Sequence, residues 1–211
     1  MTDSSVRAIV GLGNPGAEYE YTRHNAGFWF IDQLAEAYRA DFRVESKFQG
    51  VTARIRIGGS DLLLLKPGTF MNRSGQAVQA LASFYKFAPE QILVAHDELD
   101  LPAGAARLKL GGGHGGHNGL RSVHQHLGEN YARLRIGIGH PGNKDQVLDY
   151  VLGRPSQPDL RAIEDALIRS QAALEMLVTQ GWSKASQLLH TDPDKVAAKK
   201  EKGPPPEKKP T

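Results

Sequence analysis

The sequence predicts an α/β fold: a single three-layer domain, a mixed twisted β-sheet flanked by helices, with a disordered C-terminal tail. Three observations predict it. Short, branched apolar runs interleave with segments of helical period along the chain. The 211 residues are 40% hydrophobic and 23% charged, enough to enclose one sizeable core. Beyond His190 the composition shifts to Lys, Glu and Pro, which cannot bury enough apolar surface to offset the entropy of ordering. The domain is therefore expected over residues 1–190 and a Lys/Pro-rich flexible tail over 191–211.

Arg7 to Leu12 reads as a buried strand, ended by Gly11, Gly13 and the Asn14-Pro15-Gly16 turn. Asn25 to Tyr38 reads as a helix, with Phe28, Ile31, Leu34, Ala35 and Tyr38 along one face. Phe48–Ile57 and Leu62–Lys66 read as strands joined through Gly58-Gly59-Ser60-Asp61. Ser74–Phe87 is a second helix, capped by Asn72 or Ser74 and stopped before Pro89. Ile92–Asp97, Ala105–Leu110 and Leu134–Gly139 are further strands. Between the last two lie the glycine-rich Gly111–Gly119 and a short helix, Leu120–Leu127. Helices over about Pro158–Gln180 and Ser183–Leu189 close the fold.

Charge narrows the partners. Lys and Arg number 26 against 23 acids, for a net charge of +3, and the tail holds six Lys against four acids, so the body carries only +1. Any nucleic-acid function must come from a local patch. Without cysteine there is no disulfide framework, thiolate metal site or cysteine nucleophile. No stretch approaches membrane-spanning length, and the expectation is a cytoplasmic protein with no membrane partner.

The candidate chemistry lies where strands end. Gly11-Leu12-Gly13-Asn14-Pro15-Gly16 has the G-x-G-x-x-G spacing of a dinucleotide fingerprint. It leads into the loop Ala17-Glu18-Tyr19-Glu20-Tyr21 rather than directly into a helix, so a tight turn is the better reading. Asn14, at a strand's carboxyl end, is placed to hydrogen-bond a ligand. His24 lies where that loop gives way to a helix. Asp97 ends another strand and could accept the imidazole N–H, leaving the second nitrogen to take a proton from water. Glu98 and Asp100 read as solvated loop acids. Asn72, in Phe70-Met71-Asn72, serves either as a helix cap or as an amide aimed into the same cleft, and Asn118 is open to the same two readings.

Six glycines in the nine residues 111–119 carry a large entropy cost of ordering and leave backbone amides free for an oxyanion or phosphate. No Gly-Lys-Ser/Thr follows, which excludes a nucleotide P-loop. His114 and His117 are of metal-ligand type, but a glycine-rich coil does not fix their geometry and no further ligand is spaced like a zinc motif. Lys109 and Arg135 flank the loop and read as a phosphate clamp, with Arg107, Arg133 and Lys144 adding local charge.

Together these segments resemble the bacterial peptidyl-tRNA hydrolase family. The matching stretches are Val10–Gly16, Thr22-Arg23-His24-Asn25-Ala26-Gly27, Thr69-Phe70-Met71-Asn72, His96-Asp97-Glu98-Leu99-Asp100, Gly111–Leu120 and Arg135–Gly142. In order and spacing the resemblance covers about Val6 to His190, and the tail lies outside it. It implies a monomeric, metal-free α/β hydrolase without cofactors, cutting the ester between peptide and terminal ribose of peptidyl-tRNA. It further implies His24 as catalytic base, Asp97 as its orienting acid, and Asn14, Asn72 and Asn118 as amides that bind substrate and position water. Tyr19, Met71 and His117 match site-lining residues, with Phe70 in the same substrate-binding set. Lys109 and Arg135 match a clamp on the tRNA 5′ phosphate. The residues themselves leave two competitors, a zinc-dependent hydrolase on His114 and His117 and an RNA-binding module without chemistry.

Overall fold

Burial through the first strand decides where the layers go. The computed structural model describes residues 6–191, so the expected tail, apart from Thr191, lies outside the described residues. These carry β1 (Ala8–Gly11), α1 (Ala26–Ala37), β2 (Arg43–Glu45), β3 (Gly50–Ile57), β4 (Ser60–Pro67), α2 (Ser74–Tyr85) and β5 (Ile92–Glu98). The second half adds β6 (Ala106–Leu110), α3 (Asn118–Leu127), β7 (Ala132–Gly137), α4 (Val147–Val151), α5 (Gln157–Gln180) and α6 (Trp182–His190). Ile9 packs into the core beneath α1, α5 and α6, while Ala8, Val10 and Leu12 enter a second core beneath α2 and α3. Leu62 and Leu64 of β4 go to the first core and Leu63 and Leu65 to the second. Period-two alternation through strands buried on both faces makes the three layers.

The sheet order is β2-β3-β4-β1-β5-β7-β6. β1 runs parallel to β4 and β5, and β5 to β7, whereas β2–β3, β3–β4 and β6–β7 are antiparallel. The mixed sheet expected from the sequence is therefore present. The chain leaves β1 for β4 on one side and returns as β5 on the other. The carboxyl ends of these three strands border a topological switch point, where α/β sheets bind ligands.

The glycines at the end of β1 serve close packing. A Cβ on Gly27, in the first turn of α1, would lie 2.4 Å from the Ala95 carbonyl oxygen and 2.6 Å from the Leu12 nitrogen. One on Gly11 would lie 2.4 Å from the Gly27 carbonyl oxygen. Helix and strand backbones touch here, which fixes the short segment before α1.

Several expectations shift. β2 and α4 were not anticipated: the first is a three-residue edge strand of exposed and half-buried residues, the second barely one turn. β7 starts and ends two residues earlier than expected, since Ala132 pairs with Leu110. Neither Asn72 nor Ser74 caps α2. A 3₁₀ turn, Met71–Arg73, runs straight into the helix, and the Ser74 hydroxyl donates to the Met71 carbonyl at 2.9 Å. Asn118 is the first residue of α3 rather than its cap, a place taken by His117. Replacing Gly27 by Ala should destabilise the fold by about 1–3 kcal/mol through overpacking against fixed backbone. Thermal denaturation would show this as a fall of roughly 2–4 °C per kcal/mol, and an unchanged melting point would contradict the contact.

Candidate active site

Asp97 lies near the carboxyl end of β5 and is 3% exposed. His24 lies in a 3₁₀ turn, Arg23–Asn25, immediately before α1. Its nitrogen Nδ1 donates to Asp97 Oδ2 at 2.9 Å. That is the pairing expected from the sequence. The other carboxylate oxygen, Oδ1, accepts from His117 Nε2 at 2.7 Å. His117 Nδ1 in turn accepts from the amides of Gly119 (3.1 Å) and Leu120 (3.3 Å) at the start of α3. A nitrogen receiving backbone N–H groups carries a lone pair, so the proton of the neutral ring sits on Nε2. His117, expected only to line the site, therefore braces the acid as well. With Nδ1–H directed at Asp97, His24 keeps the lone pair on Nε2 for chemistry.

Contacts from α4 and the turn that follows it hold the His24 turn. The Arg23 amide donates to Gly153 O at 3.0 Å, and its guanidinium donates to Tyr150 O at 3.1 Å while lying 3.9 Å from that ring's centroid. The short helix α4, missed in the sequence, thus tethers the base.

Burial disfavours charge on Asp97, but the imidazoles of His24 and His117 outweigh it and hold the carboxyl well below its usual range. Burial likewise pushes His24 down; the charge and hydrogen bond of Asp97 prevail and raise it above its ordinary value. His96 behaves oppositely. Its burial, with His117 and then Arg133 nearby, lowers it to about 3 against the pull of Asp97. Its Nδ1 donates to the Asp97 carbonyl at 2.7 Å, and its ring lies edge-on to His117 with centroids 5.2 Å apart.

Asn14 is fixed on three sides. Its amide donates to Asn25 Oδ1 at 2.8 Å, its carbonyl accepts from Asn25 Nδ2 at 3.0 Å, and its Oδ1 accepts from the Met71 amide at 2.7 Å. Its Nδ2 makes no hydrogen bond among the described residues, and Asn14 also lines a cleft of about 920 Å³ with Gly16, Trp29 and Leu160, whose walls include neither His24 nor Asp97. Asn25, which nothing in the sequence marked beyond its neighbour His24, is the bracket. Met71 is buried, and exposed Phe70 meets the half-buried ring of Tyr19 edge-on at 6.2 Å. Asn72 and Asn118 are exposed; Asn118 Oδ1 accepts from Arg121 at 3.2 Å, and Asn72 makes no side-chain bond among the described residues.

Register places the basic residues. Lys109 pairs with Arg133 and Arg107 with Arg135, so all four share one face of β6–β7. Lys109 and Arg135 are diagonal neighbours there. Glu98, expected as a solvated loop acid, is instead the last residue of β5 and accepts from Arg135 Nε at 2.8 Å. Among the described residues, His24, Asp97 and His117 bring ligand-type atoms within 4.8 Å of one another. The pair His114 and His117 does not suit a zinc site: His114 Nδ1 accepts from the Gly116 amide at 3.1 Å, and both nitrogens of His117 are engaged.

An imidazole braced by a buried carboxylate, with one ring nitrogen left free, suits a hydrolase that activates water directly. The sequence has neither a cysteine nor a G-x-S-x-G elbow to offer as nucleophile. The family model described as peptidyl-tRNA hydrolase matches residues 8–199, and the chain belongs to that family. It is 54% identical over 189 residues to the peptidyl-tRNA hydrolase of Neisseria gonorrhoeae (strain NCCP11945), covering 89% of this chain and 98% of that one. The Neisseria meningitidis serogroup C relative has the same identity and coverage. The crystal structure of peptidyl-tRNA hydrolase from Acinetobacter baumannii superposes with a TM-score of 0.86 at 49% identity, covering 88% of this chain and 95% of that one.

The neutral His96 makes a stability prediction. Unfolded, it takes up a proton near its ordinary value of 6.5; folded, it resists until about 3, so falling pH favours the unfolded chain between those values. From about pH 6 to about 4.5 it contributes a loss of about 1.4 kcal/mol per pH unit. Denaturant melts of His96→Gln should show a slope shallower by that amount, and an unaltered slope would contradict the assignment.

Proposed function

We propose that the chain hydrolyses the ester joining the peptide to the terminal ribose of peptidyl-tRNA, with His24 as general base and Asp97 as its orienting acid. The supporting observation is the paired hydrogen bonding of Asp97, which leaves His24 one basic nitrogen; a module that only bound RNA would have no use for it. Nε2 of His24 takes a proton from water as the oxygen attacks the ester carbonyl. The tetrahedral oxyanion is met by an asparagine amide or a glycine-loop N–H. Collapse breaks the carbon–oxygen bond to the ribose, whose oxygen receives the proton back from the imidazolium. Asp97 stays ionised throughout and stabilises that imidazolium. An ester needs no covalent intermediate, because a ribose hydroxyl leaves far more readily than an amine.

In this reading Asn14, Asn72 and Asn118 bind substrate and position the water, while Tyr19, Phe70, Met71 and His117 line the site. Lys109 and Arg135 hold the tRNA 5′ phosphate. Residues 1–190 carry the activity as a cytoplasmic monomer, and the tail from 191 adds weak, salt-sensitive attraction to RNA.

His24→Ala should lower turnover of an N-blocked aminoacyl-tRNA by ~10²–10⁴ while leaving tRNA affinity in place. Wild-type turnover in that variant would remove the base assignment. In Asp97→Asn the charge that favours the protonated ring is gone. The acid limb of the pH–rate profile should therefore move to lower pH as its plateau drops, and a limb fixed in position would contradict the pairing. Lys109→Ala should weaken substrate binding and flatten the salt dependence by about one phosphate contact. The loss should be far smaller on a short peptidyl-nucleoside ester without phosphates; equal losses on both would place Lys109 in chemistry or folding.

A further inference from the structure

Beneath the glycine loop sits a cation the reaction does not use. Arg133 is 2% exposed, its Nε has no hydrogen-bond partner, and none of the ion pairs among the described residues includes it. A guanidinium buried without a carboxylate is costly to keep. Its other two nitrogens donate to the carbonyls of Gly112 and Gly113, the latter at 2.7 Å. His124 adds to the same fastening. Its Nε2 donates to Gly112 O at 3.0 Å, and Nδ1 accepts from the Tyr131 hydroxyl at 2.8 Å.

These bonds dictate where the loop's amides point. In a trans peptide the carbonyl and the following N–H lie on opposite sides, and there are no cis bonds here. With the carbonyls of Gly112 and Gly113 drawn down onto Arg133, the N–H groups of Gly113 and His114 face the other way. Neither donates to another backbone group or to a side chain among the described residues. Gly113 itself is exposed. Successive backbone amides turned to one side form an anion-binding concavity. Lys109 stands at its rim: a Cβ on Gly112 would lie 2.9 Å from the Lys109 Nζ.

We infer that the amides of Gly113 and His114, together with Lys109, cradle a phosphate oxyanion of the substrate RNA, and that Arg133 is the positioning residue that turns those amides outward. The inference rests on the reading above that Lys109 faces tRNA phosphate. It adds two backbone donors to that contact and gives the buried guanidinium a purpose. Arg133 also reinforces the site's sign from below, since no carboxylate neutralises it and the loop peptides between carry its field outward.

The test titrates inorganic phosphate into the ¹⁵N-labelled full chain and follows the backbone amides. The Gly113 and His114 protons should move downfield together and saturably. In Lys109→Ala the affinity should fall while the same two amides still respond. In Arg133→Met, which keeps the bulk and removes the charge, affinity should fall about tenfold, the scale of lost charge-assisted hydrogen bonds. KM for an N-blocked aminoacyl-tRNA should rise in that variant by a larger factor than kcat falls, and Arg133→Lys should recover part of the loss. Amides of Gly113 and His114 that ignore phosphate in the wild type would overturn the cradle, and this needs no variant to fold. A fall in kcat without a rise in KM in Arg133→Met would also overturn it, marking the amides as oxyanion donors to the reaction. Saturable phosphate response in a wild-type chain that fails to cleave the tRNA ester would support the cradle and strike the functional reading instead.

Discussion

One carboxylate shared between two imidazoles organises the site. Asp97 presents Oδ2 to His24 and Oδ1 to His117, so neither oxygen is left to compete for the base's reactive nitrogen. Because Asp97 is 3% exposed, water cannot dissipate its charge, and its preference for ionisation comes wholly from these partners. The acid both raises His24 and orients it. His117 could not brace the acid in its other tautomer, and the helix amides at Gly119 and Leu120 fix that tautomer. The start of α3 thus reaches the base through three successive hydrogen bonds, by way of an imidazole and a carboxylate.

The fold supplies this arrangement through its topology. β1, β4 and β5 end at one edge, and each is followed by a segment carrying site residues: Asn14 after β1, Met71 and Asn72 after β4, Asp97 near the end of β5. The Met71 amide grips Asn14 Oδ1, tying the first of these segments to the second. Gly27 lets α1 press against the β1–β5 backbone, which sets the depth of His24. Rigid neighbours, not loop flexibility, set these distances, as placing a catalytic base within hydrogen-bond reach requires.

Much of this was legible in the sequence. Strands buried on both faces announce themselves as continuous apolar runs, and β1, β4 and β5 were placed within a few residues. Apolar periodicity likewise gave α1, and the expected helices at α2 and α5 are present nearly as placed. β2 escaped because an exposed edge strand has no apolar pattern, and α4 because a single turn has no period. At the site, His24 and Asp97 stood out by lying at element ends. The bond from His117 to Asp97 did not, since it depends on how closely α3 approaches β5. Arg133, expected only to add local charge, is instead 2% exposed. The carbonyls of Gly112 and Gly113 make that burial tolerable, and no sequence pattern announces them.

The central claim is the protonation pattern around Asp97, and ¹⁵N chemical shifts of the histidine ring nitrogens, read on the alkaline side of the His24 titration where the ring is neutral, measure it most directly. His24 should carry its proton on Nδ1 with an unprotonated Nε2, while His117 shows the reverse, proton on Nε2 and lone pair on Nδ1. A His24 ring with its proton on Nε2 and a bare Nδ1 toward the carboxylate would contradict this. The acid would then have to hold the proton itself, and the base would have no free nitrogen to offer water.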